Sequence, residues 1–220
     1  MGISENTIIW FCSDNGGLKN IIPSTVGGLK GGKNTMWEGG LRVPSIIEWP
    51  EMIKPGVTKY PTSTMDIFPT ILEIIGLNKY KKLNYFDGES IVDLFHSAKE
   101  KRSSKIPFRF DNRGALIDNN IKLVVHDIKN LDFELYNLSN DPTESNDISL
   151  LEIDLFKKMK NEYIFWNKTV DSDVKKKKIV DPVQWRDADK YYPFFEKWIK
   201  RKEYSRYIKR EPYSVLFNNN

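Results

Sequence analysis

The chain has 220 residues, of which 40% are hydrophobic and 13% aromatic, enough for a packed core; no run approaches the ~20 apolar residues that span a bilayer. A formal net charge of +4 is small beside 29% charged residues, so composition gives no argument for a nucleic-acid partner and none is expected. The single cysteine excludes an internal disulfide and leaves the compartment open.

In chain order, Met1 to Glu5 reads as the end of a helix and a short connection, without the charged and apolar regions of a secretory leader. Thr7-Ile8-Ile9-Trp10-Phe11-Cys12 is continuously apolar and β-favouring, the pattern of a strand buried on both faces of a parallel sheet, with Cys12 as a small core residue. It runs straight into Ser13-Asp14-Asn15-Gly16-Gly17. Ligands of open α/β sheets bind beyond the carboxyl ends of such strands, where Asp14 and Asn15 fall. Their oxygens are hard donors suited to Ca²⁺ or Mg²⁺, although the same residues also make an ordinary turn. Gly27 to Lys33 is a glycine-flanked lysine stretch, either a solvated loop or a place where the Lys33 charge meets an anionic group.

Trp37-Glu38-Gly39-Gly40-Leu41-Arg42-Val43-Pro44 follows, then a strand expected at Ser45 to Trp49. A helix is expected near Asp66 to Ile75, with Thr64 or Asp66 as its cap, Pro69 in the first turn and Gly76 as terminator. Ile67, Ile71, Ile74 and Ile75 recur at helical spacing and should pack on the sheet. From about Lys81 the pattern changes to short strands and one helix, a smaller α+β region. Ala115 to Asp118 and Ile121 to Val125 flank Asn119-Asn120, a pair suited to a tight hairpin turn, and Phe133 to Leu138 reads as the next strand. After Asp141-Pro142 a helix is expected from roughly Leu150, with Leu151, Leu155, Met159 and Trp166 near one face. His96 is expected at the exposed end of a helix and His126 at the end of a hairpin strand, neither within the site. The tail from about Asp171 interleaves Lys175 to Lys178 with aromatic residues; it reads as segments docked by their rings, or as a polyanion-binding surface.

The segments from Asn6 to Gly76, and more loosely to Asp147, resemble the sulfatase family, the arylsulfatase-like branch of the alkaline phosphatase superfamily. The resemblance implies an α/β fold: the C-terminal part of an alkaline phosphatase-like sandwich over residues 1–80, a smaller antiparallel α+β subdomain over 81–170, and a basic aromatic tail over 171–220. It implies that Asp14 and Asn15 are ligands of a divalent cation, usually calcium with magnesium as the alternative, and that Lys33 is the catalytic lysine contacting sulfate. Lys30 is the weaker candidate, and Glu38 and Arg42 are expected to pair and fix the loop after Lys33. The implied substrate is a sulfated small molecule or polysaccharide, and the implied location secreted, lysosomal or periplasmic. Two Asn-x-Ser/Thr triplets, at Asn137 and Asn167, are compatible with secretion.

The family nucleophile is a formylglycine made from cysteine in a Cys-x-Pro-Ser-Arg-type motif, and no such motif occurs here. The expectation is therefore a C-terminal fragment of a sulfatase, inactive alone, with the nucleophile in a missing N-terminal half. The alternatives are a phosphodiesterase or phosphonate hydrolase of the same superfamily, or a non-catalytic truncated homologue that binds polysaccharide.

Overall fold

Strand β1 (Ile9–Cys12) pairs with β2 (Ser45–Glu48) in an antiparallel ladder that sets Trp10 opposite Ile47 and Phe11 opposite Ile46. The computed structural model describes residues 2–19, 24–77, 86–97 and 99–177. A parallel strand buried on both faces was expected here, and among the described residues the structure departs from that. Trp10 and Ile47 turn toward a cluster built on Tyr60, Ile91 and Phe95, whereas Ile9, Phe11 and Ile46 are more than half exposed. The continuous apolar run is thus two different faces, one of them covered by described residues. Cys12 is a free thiol, half-buried rather than a core residue. Residues 4–7 form a turn closed by Thr7 N–H on the Ser4 carbonyl, where the end of a helix was expected.

Helix α1 (Glu38–Leu41) is a single turn, and α2 (Ile67–Ile74) follows a 3₁₀ turn at Thr64–Asp66. The cap is Ser63, one residue before the nearer expected candidate: its hydroxyl accepts from Met65, and the Asp66 carboxylate reaches back to the Ser63 N–H at 2.7 Å, forming a capping box. Gly76 ends α2 as expected, with φ of 74° and the Leu77 N–H returning to the Leu72 carbonyl at 2.7 Å. The isoleucine stripe is corrected. Ile74 joins the Tyr60 cluster, but Ile71 and Ile75 are exposed and Leu72 is the buried residue. Asp66 and Thr70, both fully buried, set that rotation. Arg102 grips Asp66 with a fork at 2.6 and 2.7 Å, and the Thr70 hydroxyl accepts the Ile91 N–H at 3.1 Å.

The second sheet is an antiparallel meander, β3 (Ile106–Phe110), β4 (Arg113–Asp118), β5 (Ile121–Asp127) and β6 (Asp132–Asn137), in that spatial order. Asn119 takes φ of 56° in the expected hairpin turn. β3 escaped the sequence reading because Pro107 interrupts it; the proline is tolerated because β3 lies at the edge. Helix α3 (Ile153–Lys177) covers one face of the sheet, where Met159 and Tyr163 meet Leu116, Leu123, Val125, Phe133 and Leu135. Truncating Met159 at the centre of this layer costs about 2–5 kcal/mol. Leu151, expected on the helix face, precedes α3 and is exposed. The opposite face, Ala115, Val124 and Tyr136, packs on Met36 and Trp37 of the lysine loop. The described residues up to Thr169 form one compact unit. The basic aromatic tail beyond Lys177 lies outside the described residues. Among the described residues no helix is long and apolar enough to cross a membrane.

Candidate functional site

The turn after β1 and the lysine loop are bound to each other through their backbones. Lys33 N–H donates to the Gly17 carbonyl at 2.8 Å, and Gly16 N–H to the Gly40 carbonyl at 2.9 Å. Such close crossing requires glycine: a Cβ at Gly16 would run into the backbone of Gly39 and Gly40 in the lysine loop, and a Cβ at Gly40 into the backbone of Gly32 and Thr35 of its own loop. The contacts bring the loops of Asp14, Asn15 and Lys33 side by side. The Asn15 amide donates to Asp14 Oδ2 at 2.5 Å, so Asp14 Oδ1 and Asn15 Oδ1 are the oxygens left to face a cation. Lys33 is exposed, and its ammonium has no partner among the described residues. The donor set fits Ca²⁺ or Mg²⁺ in kind, and supplies two of the six to eight oxygens that calcium takes. Among the described residues no group of three or more His, Cys, Asp or Glu side chains gathers to hold a metal ion.

Lys30, the weaker candidate, is turned inward. Its ammonium donates to the Glu144 carbonyl at 2.8 Å and lies 3.5 Å over the Trp37 ring, so it anchors the loop instead of meeting solvent. The expected Glu38–Arg42 pair does not form. Arg42 is exposed and is joined to Glu38 by a backbone bond, the Arg42 N–H to the Glu38 carbonyl at 2.8 Å. Glu38 instead meets Lys122 of β5 at 2.9 Å, and Lys122 meets Glu144 at 2.8 Å. The second Glu144 oxygen accepts the Glu38 N–H at 2.6 Å. Lys122 and Glu144 are fully buried and Glu38 is 6% exposed. Burial pushes the Glu144 carboxyl up, against the pull of Lys122 and the Glu38 N–H. Glu144 also holds a left-handed backbone, φ 53°, which these bonds sustain.

Sequence reasoning missed this triad, though a lysine within Ile121-Lys122-Leu123-Val124-Val125 carries a signal: a charge at a core-facing strand position needs a buried partner. It also left out His126. The imidazole Nε2 lies 2.6 Å from Glu134 Oε2, which accepts the Tyr136 hydroxyl at 2.8 Å as well, and the ring tilts against Trp37 with centroids 5.1 Å apart. His96, by contrast, lies exposed at the end of the 3₁₀ turn Val92–Phe95, as expected.

Residues 1–77 match the family profile described as Sulfatase. A sulfatase of Formosa agariphila is 34% identical over 187 residues, 75% of this chain and 34% of that protein. Among solved structures, the PsFucS1 sulfatase from Pseudoalteromonas sp. aligns with TM-score 0.59 and 27% identity over 80% of this chain and 38% of that one. The crystal structure of Ps i-CgsB in complex with k-i-k-neocarrahexaose aligns with TM-score 0.62 and 28% identity over 74% of this chain and 37% of that one. The chain spans about a third or less of the length of the curated relatives it matches. With the profile falling on the β1 turn and the lysine loop, and the two similar folds covering 74% and 80% of the chain, the chain belongs to the sulfatase family.

Proposed function

We propose that this chain carries the cation-binding and sulfate-gripping part of a site that hydrolyses sulfate esters. The observation that carries the reading is the 2.8 Å bond from Lys33 N–H to the Gly17 carbonyl, which fixes the lysine loop beside the turn of Asp14 and Asn15. In this reading Asp14 and Asn15 hold a divalent cation, calcium in preference to magnesium. Bound there, the cation supplies Lewis-acid polarisation of the ester oxygens. Lys33 donates to a non-bridging sulfate oxygen and opposes the charge that builds as the ester bond breaks. The buried Glu38–Lys122–Glu144 triad and Lys30 hold the backbone of the loop that carries Lys33 in place before the substrate arrives.

The chain has no Cys-x-Pro-Ser-Arg motif, and its one cysteine is followed by Ser13-Asp14-Asn15. The nucleophile in this reading, a formylglycine, lies outside these 220 residues, which are inactive by themselves. The complex of the similar Ps i-CgsB with a neocarrahexaose favours a saccharide as the substrate of the whole protein. Calorimetric titration of the chain with Ca²⁺ is the test. The reading expects binding that Asp14→Ala and Asn15→Ala each weaken at least tenfold, and unchanged binding in both variants would overturn it.

A further inference from the structure

Glu134 Oε2 receives two groups, the Tyr136 hydroxyl at 2.8 Å and His126 Nε2 at 2.6 Å. Burial, and then the Glu134 carboxylate, push the Tyr136 hydroxyl up, so it remains protonated and donates. With the ionised carboxylate as acceptor, Nε2 carries a hydrogen and the imidazole is fixed in one tautomer. Trp37 holds the ring from the side at 54°. The other nitrogen, Nδ1, has no partner among the described residues, and His126 is one-third exposed. A histidine oriented by two neighbours, with its second nitrogen unused, is prepared to meet something outside the protein.

Its location says what. Trp37 lies four residues after Lys33 on the same loop, and Arg113 of β4 donates to the carbonyl of Asn34, the residue after Lys33, at 3.0 Å. His126 therefore borders the Lys33 loop on the side of the antiparallel sheet. In the neutral tautomer Nδ1 is an acceptor, and the adjacent Glu134 carboxylate disfavours a second anion there. A hydroxyl group satisfies both conditions. We propose that His126 is a specificity-determining residue that accepts a hydrogen bond from a free hydroxyl of a saccharide whose sulfate ester is held at Lys33, giving the site a preference for sugar sulfates over aryl sulfates. This rests on the sulfate-ester reading above.

The chain has two histidines, so long-range ¹H–¹⁵N spectra resolve the imidazoles, with His96→Gln assigning them. The full chain is titrated, with calcium present, with k-i-k-neocarrahexaose and separately with 4-nitrophenyl sulfate. The expected result is a shift of His126 Nδ1 with the hexaose, absent with the aryl ester. His126→Gln, which keeps an amide N–H within reach of Glu134, should reduce the preference for hexaose over aryl ester about fivefold to tenfold. Lys33→Ala should weaken both ligands. Hexaose binding that depends on Lys33 but leaves Nδ1 unshifted and the preference unchanged in His126→Gln would overturn this inference and leave the sulfate-ester reading standing. Binding of neither ligand, or binding of both that ignores Lys33, would overturn the two together.

Discussion

Replacing Lys122 by methionine tests whether a buried charge network fixes the lysine loop to the antiparallel sheet. The Lys122 ammonium is fully buried, 2.9 Å from Glu38 and 2.8 Å from Glu144. Methionine fills most of its volume but leaves two buried carboxyls facing one another. Breaking a buried pair in this way costs about 3–5 kcal/mol, a large part of the ~5–15 kcal/mol that holds a domain together. For a chain of this size that is a drop in melting temperature of about 6–20 °C. The sign with pH follows from the carboxyls. Glu144 is already raised by burial, and loss of its cation raises it further, so the penalty is full at neutral pH and is relieved as pH falls and the group takes up a proton. Glu144→Gln added to Lys122→Met should recover much of the loss at pH 7.5. Thermal denaturation followed by circular dichroism at pH 7.5 and 5.0 reads all three proteins. A Lys122→Met chain within about 1 kcal/mol of the parent at pH 7.5 would refute the argument that the triad anchors the loop.

Arg102→Met should cost about 3–5 kcal/mol in denaturant unfolding, because the fully buried Asp66 carboxylate loses both arms of its fork; Asp66→Leu combined with Arg102→Met should cost less than the sum of the two single changes. Glu89 is raised by burial, but hydrogen bonds from Tyr60, Ser103 and Ser104 outweigh this and hold it down at about 2, from an ordinary value of 4.5. Its stabilisation relative to Glu89→Gln should be present in full above about pH 4.5 and fade as pH falls toward about 2; a stability difference independent of pH over that window would contradict it. Lys30→Ala should lower the melting temperature by a few degrees through the lost Trp37 and Glu144 contacts, the scale of about 1–2 kcal/mol.

Local signals in the sequence were read where one interaction decides the outcome. Gly76 ends α2 because the chain needs a left-handed residue there, and Asn119 turns the β4–β5 hairpin for the same reason. Asp14 and Asn15 could be singled out as oxygen donors directly after the apolar strand and Lys33 by its flanking glycines, while their roles came from the sulfatase resemblance. What the sequence hid was the choice between long-range partners. Glu38 has Arg42 four residues away, yet it pairs with Lys122, 84 residues along the chain, because Lys122 is buried and has no water to turn to. The rotation of α2 is decided by the Asp66–Arg102 fork instead of by its most apolar stripe, and the alternation of β1 is masked by apolar residues on both faces. His126 gave no signal because its carboxylate partner comes from the next strand and its ring support from a loop nearly ninety residues upstream.

The central claim is that the exposed Lys33, and not the inward-turned Lys30, grips a sulfate ester beside the Asp14–Asn15 turn. Its most direct test is the calorimetric affinity of 4-nitrophenyl sulfate in the presence of calcium, measured for the parent chain, Lys33→Ala and Lys30→Ala, with 4-nitrophenyl phosphate beside it. The expected result is a loss of about tenfold or more in Lys33→Ala, the scale of one charge-assisted hydrogen bond, and a smaller loss in Lys30→Ala. Equal affinity in the parent chain and Lys33→Ala would contradict the claim, and tighter binding of the phosphate ester would move the site to the phosphoester-cleaving side of the superfamily.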